Sequence, residues 1–187
     1  MVTGLRRWSA ALVALAAFGL ALVGIQTSTA APAKAVEAAA TTVCYDASGA
    51  GVFQNTAHQA ASIWNNATNN VYMSPCGTSV QIYITYSGGS RAYVYGLGRG
   101  VIYIDYYQAQ QYSPLRIMTH EMGHILGLPD NYNGDCSILM SGGSAGTSCT
   151  NPYPSAGEAA QVDYLFSRYG RSAVEPRVYQ DSWPAAA

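Results

Sequence analysis

The sequence predicts an α+β domain: a small twisted sheet packed on an N-terminal helix, a central helix carrying a polar site, and a C-terminal helix. Three observations predict it. Apolar residues recur at helical spacing in three separated stretches. Period-two strand patterns fill the interval between the first and second of these. Removing an N-terminal leader leaves roughly 130 to 145 residues, the size of one domain.

The leader comes first. "MVTGLRRW" places Arg6 and Arg7 ahead of an apolar run over residues 10–25, and small residues follow in "QTSTAAPA". A basic start, an apolar stretch and a small-residue cleavage site make a secretory signal over residues 1–30. The run is shorter than the roughly 20 residues of a membrane span, and Gly19 and Gly24 interrupt it. Residues 31–42 are Ala-rich and read as a short pro-segment or leader. The domain itself is expected over 43–170, with a tail over 171–187. The expected destination is extracellular.

The first strand is "TVCYDAS". A helix follows over residues 51–68, where Val52, Phe53, Ala57, Ala60, Ala61 and Trp64 make the apolar face. His58 lies within it and reads as a surface or capped residue, not a ligand. "SVQIYITYS" alternates Val80, Ile82 and Ile84 against Gln81, Tyr83 and Thr85, which is a strand. "RAYVYGLG" and "GVIYIDYY" are two more strands, joined at "GLGRG". That glycine run sits between strands and lacks a following Lys-Ser/Thr, so it is a turn and not a phosphate loop.

"SPLRIMTHEMGHILGL" is the central helix. Ser113 caps it, Pro114 suits its first turn and Gly127 ends it. Its apolar residues are Leu115, Ile117, Met118, Met122, Ile125 and Leu126. The last helix lies in "PYPSAGEAAQVDYLFSRYG", with Ser155 and Glu158 as a capping box, Leu165 and Phe166 as core contacts, and Gly170 as the stop. Beyond Gly170 no period is visible, and the tail reads as a loose end.

Composition narrows the function. The net charge is −1 and only 10% of residues are charged, so there is no electrostatic footprint for nucleic acid. No charge block marks a membrane surface. Four cysteines, Cys44, Cys76, Cys136 and Cys149, are an even count in an exported chain and imply disulfides. Three pairings are possible. One of them closes the Gly/Ser-rich "SGGSAGTS" with Cys136 and Cys149 and leaves Cys44 to Cys76.

The chemistry is concentrated in "THEMGHILGLPD", residues 119–130. His120 and His124 stand four apart and project from one helix face, close enough to hold one ion. Glu121 sits to the side, where a base can reach a water on that ion. These are the few polar groups on an otherwise apolar helix, and buried ionisable groups need partners. Gly127 can turn the chain sharply and bring Asp130 back as a third ligand, and carboxylates ligate zinc. The pattern is H-E-x-x-H-x-x-G-x-x-D, with aspartate where metzincins use histidine. Asp135 and Glu158 are the competing third ligands, and spacing favours Asp130. Downstream, "CSILMSGG" resembles a Met-turn, with Met140 packed beneath the site.

"HEMGHILGLPDNY", "CSILMSGG" and "CTNPYPSAGE", with "TVCYDAS", "IWN", "GRGVIYIDY" and "QQYSPLR", resemble the snapalysins, small neutral zinc proteases secreted by streptomycetes. The resemblance runs from about residue 41 to 170. It implies a single metzincin-like α+β domain with one zinc ion held by His120, His124 and Asp130, and Glu121 as general base. It maps the family disulfide onto Cys136 and Cys149, with Cys44 and Cys76 as an additional pair. Positions matching the family's calcium site hold Ser113 and Leu115, so calcium is not expected. An aromatic residue just after the cut is the implied preference, and a monomer acting on protein or peptide substrates the implied state. A secreted proteinaceous inhibitor is a candidate partner.

Two further readings belong to the residues themselves. Tyr132 can donate to the oxyanion, and "RAYVYGLG" can pair with an extended substrate by edge addition. The competing functions are a metallo-amidase acting on cell wall and a non-catalytic, disulfide-stapled zinc-binding module or inhibitor. Four protein ligands on the ion would mark a structural site, three with an open position a catalytic one.

Overall fold

A computed structural model describes residues 39–168, 175–180 and 183. The expected signal and most of the leader lie outside the described residues. The strands are β1 (Thr41–Gly49), β2 (Val71–Ser74), β3 (Val80–Thr85), β4 (Arg91–Gly96), β5 (Arg99–Asp105) and β6 (Arg177–Gln180). The helices are α1 (Gln54–Ala67), α2 (Gln108–Gln111), α3 (Pro114–Ile125) and α4 (Ala156–Arg168). The α+β expectation holds, with one six-stranded mixed sheet in the order β2-β1-β3-β5-β4-β6.

The strand alternation decides which face is covered. Val43, Tyr45, Val80, Ile82, Ala92, Val94, Ile102 and Ile104 are all buried on one side. Their neighbours Tyr83, Tyr93 and Tyr103 keep partial exposure. Each buried aliphatic side chain contributes about 1.5–3 kcal/mol, so a one-residue slip would be strongly unfavourable. β1, β2, β3 and β5 run parallel, while β4 is antiparallel to both β5 and β6. The parallel β1–β2 pair requires a crossover, and α1 supplies it.

The core lies between this face and the pair α1 and α3. Trp64 of α1 has no exposed surface, and its indole nitrogen donates to the Thr119 carbonyl of α3 at 2.9 Å. That bond fixes α3 at the residue just before the first expected metal ligand, His120. At its other end α4 is tied to the turn before β2, where the Asp163 carboxylate accepts from the backbone amides of Asn69 and Asn70.

Several local expectations change. Residues 51–53 form a 3₁₀ turn and not the first turn of α1, and Val52 is exposed. β2 was not foreseen, because four residues carry too little period. The strand expected to run to Tyr107 stops at Asp105, whose carboxylate accepts from the amides of Tyr107 and Gln108 and turns the chain into α2. The tail is not loose: Arg177–Gln180 forms β6 on the free edge of β4.

Both disulfides are present, Cys44–Cys76 and Cys136–Cys149, separated by 32 and 13 residues. The loop-closure relation gives the longer loop roughly 3.7 kcal/mol and the shorter roughly 2.9 kcal/mol. Denaturant titration of the two paired Cys→Ser variants should therefore show the larger loss for Cys44/Cys76. A reversed order would mean that native packing, not chain entropy, sets the cost.

Candidate metal centre

Helix α3 starts and stops as its sequence demands. Ser113 Oγ accepts from the Arg116 amide, and Pro114 occupies the first turn. At the far end Gly127 takes φ +97°, a region closed to most L-residues. Gly127 N donates to His124 O at 2.9 Å and Leu128 N to Gly123 O at 3.0 Å. This is a Schellman end, and it reverses the chain beside the second histidine.

That reversal has a chemical consequence. The Leu128 carbonyl lies 2.8 Å from His124 Nδ1, and the Leu139 carbonyl 3.0 Å from His120 Nδ1. A carbonyl only accepts, so each Nδ1 carries the hydrogen. In the neutral ring the lone pair then sits on Nε2. The two Nε2 atoms face one another at 3.0 Å, and Asp130 Oδ1 lies 3.3 and 3.2 Å from them. Two lone pairs and an anionic oxygen converging on one point repel each other unless a positive charge lies between them. One donor atom from each of His120, His124 and Asp130 falls within 4.8 Å of the others. Two imidazoles and a carboxylate are a donor set that can hold a metal ion.

Burial works against the charged form of Asp130, and positive charge at the His120 and His124 side outweighs it, the part a cation between the three donors would play. The carboxyl is held well below the usual carboxylate range. Asp130 is placed by its neighbour, since the Asn131 amide donates to the Met140 carbonyl at 2.8 Å.

The loop carrying Leu139 and Met140 is itself anchored, and sequence reasoning missed the anchor. Arg116 is 1% exposed. Its guanidinium donates to the carbonyls of Asn151 and Ile138 at 2.6 and 2.9 Å, and to Ser141 Oγ at 2.9 Å. It also reaches the Leu139 carbonyl at 3.4 Å, the one that orients His120. A cation inside an otherwise apolar helix, four residues before the first histidine, was the available signal. Glu158 forms the expected capping box with Ser155. It accepts as well from the amides of Leu139 and Met140 at 3.1 and 2.7 Å. That role explains its carboxylate without the metal, as it does not join the cluster.

Met140 is 2% exposed and packs against α3 at Gly123. A Cβ added at Gly123 would lie 2.7 Å from Met140 Sδ and 3.2 Å from Trp64 Cζ2. Glu121 has no exposed surface. Tyr132 is 45% exposed on the loop past Asp130. Asp135 is spent on its own turn, accepting from the amide and hydroxyl of Ser137. His58 lies apart, with Nδ1 2.8 Å from the Tyr45 hydroxyl. Ser113 is used as the helix cap.

This fold, with its three-donor cluster, defines a small peptidase domain. The chain belongs to the Streptomyces extracellular neutral proteinase (M7) family, whose profile matches residues 40–170. It is 49% identical over 130 residues to an extracellular small neutral protease of Streptomyces caespitosus, covering 67% of this chain and 97% of that protein. Proteins of the same description from Streptomyces lividans and Streptomyces coelicolor are 45% and 46% identical. Those matches cover 71% and 70% of this chain but only 60% and 61% of the relatives.

Two substitutions test the support of the site. Gly123→Ala gains up to about 1 kcal/mol of helix propensity but overpacks a filled core at a cost of about 1–3 kcal/mol. Packing should win, giving net destabilisation in urea. Arg116→Met should cost about 3 kcal/mol or more, because it strands several buried carbonyls. An Arg116→Met protein as stable as the parent would show that those carbonyls find water instead.

Proposed function

We propose that this chain is a secreted zinc endopeptidase, with His120, His124 and Asp130 as ligands and Glu121 as general base. The supporting observation is the meeting of the two Nε2 lone pairs and the Asp130 oxygen on one point beside a fully buried Glu121. Zinc, when bound there, supplies a Lewis acid that acidifies a water and polarises a peptide carbonyl.

The remaining work falls to the chain. The carbonyls of Leu128 and Leu139 keep both imidazoles in the ligand tautomer. Glu121 takes a proton from the attacking water and hands it to the departing amine. The Tyr132 hydroxyl donates to the developing oxyanion. Met140 supports the helix from below. An extended substrate pairs along β4, and an aromatic side chain after the cut is the preferred one. Residues 1–30 serve as the export signal and residues 31–42 as leader or pro-segment, with the working domain over 43–170. The protein acts as a monomer on protein or peptide substrates outside the cell, where a proteinaceous inhibitor is a candidate partner.

Glu121→Gln should bind zinc with unchanged stoichiometry and lose hydrolysis by about 10²- to 10⁴-fold, the usual share of a general base. Full activity in that variant would remove Glu121 from the mechanism. Tyr132→Phe should lower kcat by roughly 10- to 100-fold at constant zinc content, at or below the usual loss for one oxyanion donor. A chelator should stop digestion of casein and added zinc restore it, and release of soluble peptidoglycan fragments instead would favour the amidase.

A further inference from the structure

In a peptidase the ligand imidazoles must be reachable, yet His120, Glu121 and His124 have no exposed surface here. The residues over them come from the C-terminal tail. The Tyr179 ring stacks on His124, with centroids 4.0 Å apart and planes within 6°. Trp183 meets His120 edge-on at 5.6 Å and Tyr112 at 5.1 Å. The indole is only 3% exposed, and its main-chain carbonyl accepts from Gln108 Nε2 at 3.1 Å. Between the helices and these contacts, β6 lies antiparallel on β4, pairing Ala92 with Tyr179 and Val94 with Arg177. The tail thus takes the sheet edge and an aromatic-lined pocket, and it covers both imidazoles.

We propose that Arg177–Gln180 with Trp183 forms an inhibitory strap that competes with substrate for the cleft in cis. The proposal rests on the peptidase reading for what is excluded, but the occupancy itself is a matter of binding. β6 is otherwise superficial: Val178 is 58% exposed and Arg177 and Gln180 are exposed too. Such a strand has little burial to hold it, so its grip comes from backbone pairing and the two aromatic anchors. Tethering compensates for weak affinity. A short tether gives an effective concentration on the order of 1 mM. A free peptide with Kd on the order of 0.1 mM would then fill the cleft about nine-tenths of the time when joined to the chain. Occupancy at that level reduces apparent substrate affinity about tenfold. The match to the S. caespitosus relative spans 97% of that protein, and the family profile ends at residue 170, before the strap begins.

The test uses the zinc-loaded full chain, as the parent and as the Tyr179→Ala/Trp183→Ala double variant. The double variant should show KM for an extended peptide about tenfold lower, with kcat and zinc content unchanged. By calorimetry, a synthetic peptide of residues 177–183 should bind the double variant with Kd near 0.1 mM and the parent at least tenfold more weakly. Trp183→Phe should behave like the parent, because the indole Nε1 meets no acceptor among the described residues and the pocket needs only the ring. Equal KM values in parent and double variant overturn the strap, as does a peptide that binds both proteins alike or neither. If no protein hydrolyses substrate, the peptidase reading falls and calorimetry still decides. Binding to the double variant alone keeps the strap, and any other pattern removes it.

Discussion

Two main-chain carbonyls govern this molecule. Leu128 O and Leu139 O each take the Nδ1 hydrogen of one histidine, and so force both Nε2 lone pairs toward a single point. Everything else in the central region serves to deliver those two carbonyls. Gly127, at φ +97°, swings the chain so that Leu128 faces back to His124 and Asp130 can follow. Arg116 and Glu158 grip the other carbonyl's loop from opposite sides, one through carbonyls and one through amides. A histidine pair on a helix is only a spacing; the carbonyls fix which nitrogen of each ring faces the ion.

The cost of this arrangement is a set of buried ionisable groups. Arg116, His120, Glu121 and His124 all lie at or near zero exposure within one helix. An isolated buried charge costs several kcal/mol, so the helix depends on local partners for Arg116 and the two imidazoles. Arg116 is surrounded by acceptors. The imidazoles have their carbonyls, and Asp130 Oδ1 lies against both rings. Removing any one of these partners converts a satisfied site into a strained one. Stability and metal affinity are therefore coupled through the same residues.

The sheet contributes position and an edge. Its apolar face carries α3 against β4 and β5, which puts the histidine pair near the β4 side. β4 is antiparallel to its neighbours in a sheet whose other strands pair parallel. The outer side of β4 accepts an extended chain in register, and here the chain's own tail does so. The stacking of Tyr179 on His124 and the seat of Trp183 on Tyr112 and His120 follow from that pairing, since the strand register sets where both rings fall.

Much of this was legible in order of local sequence. The caps at Ser113 and Ser155, the stop at Gly127, the strand alternation around Ile82 and Ile102, and the clustering of His120, His124 and Asp130 all depend on spacings within a dozen residues. Spacing is what a sequence displays. Four features were not legible, and each has a physical reason. β2 is four residues long and exists because β1 offers it an edge. β5 ends early because Asp105 spends its carboxylate on two amides. Arg116 could be seen as a cation in an apolar helix, but its acceptors come from residues 138–151. The tail carries no period of its own, and becomes a strand only where β4 leaves backbone groups unpaired. The sequence by itself determined α1, α3 and α4, the strands β1, β3, β4 and β5, and the spacing of the three donors, because those are set by near neighbours. Tertiary structure alone decided the tautomers, the anchoring of the methionine loop and the occupation of the cleft, because each depends on hydrogen bonds or ring contacts between segments far apart in the chain.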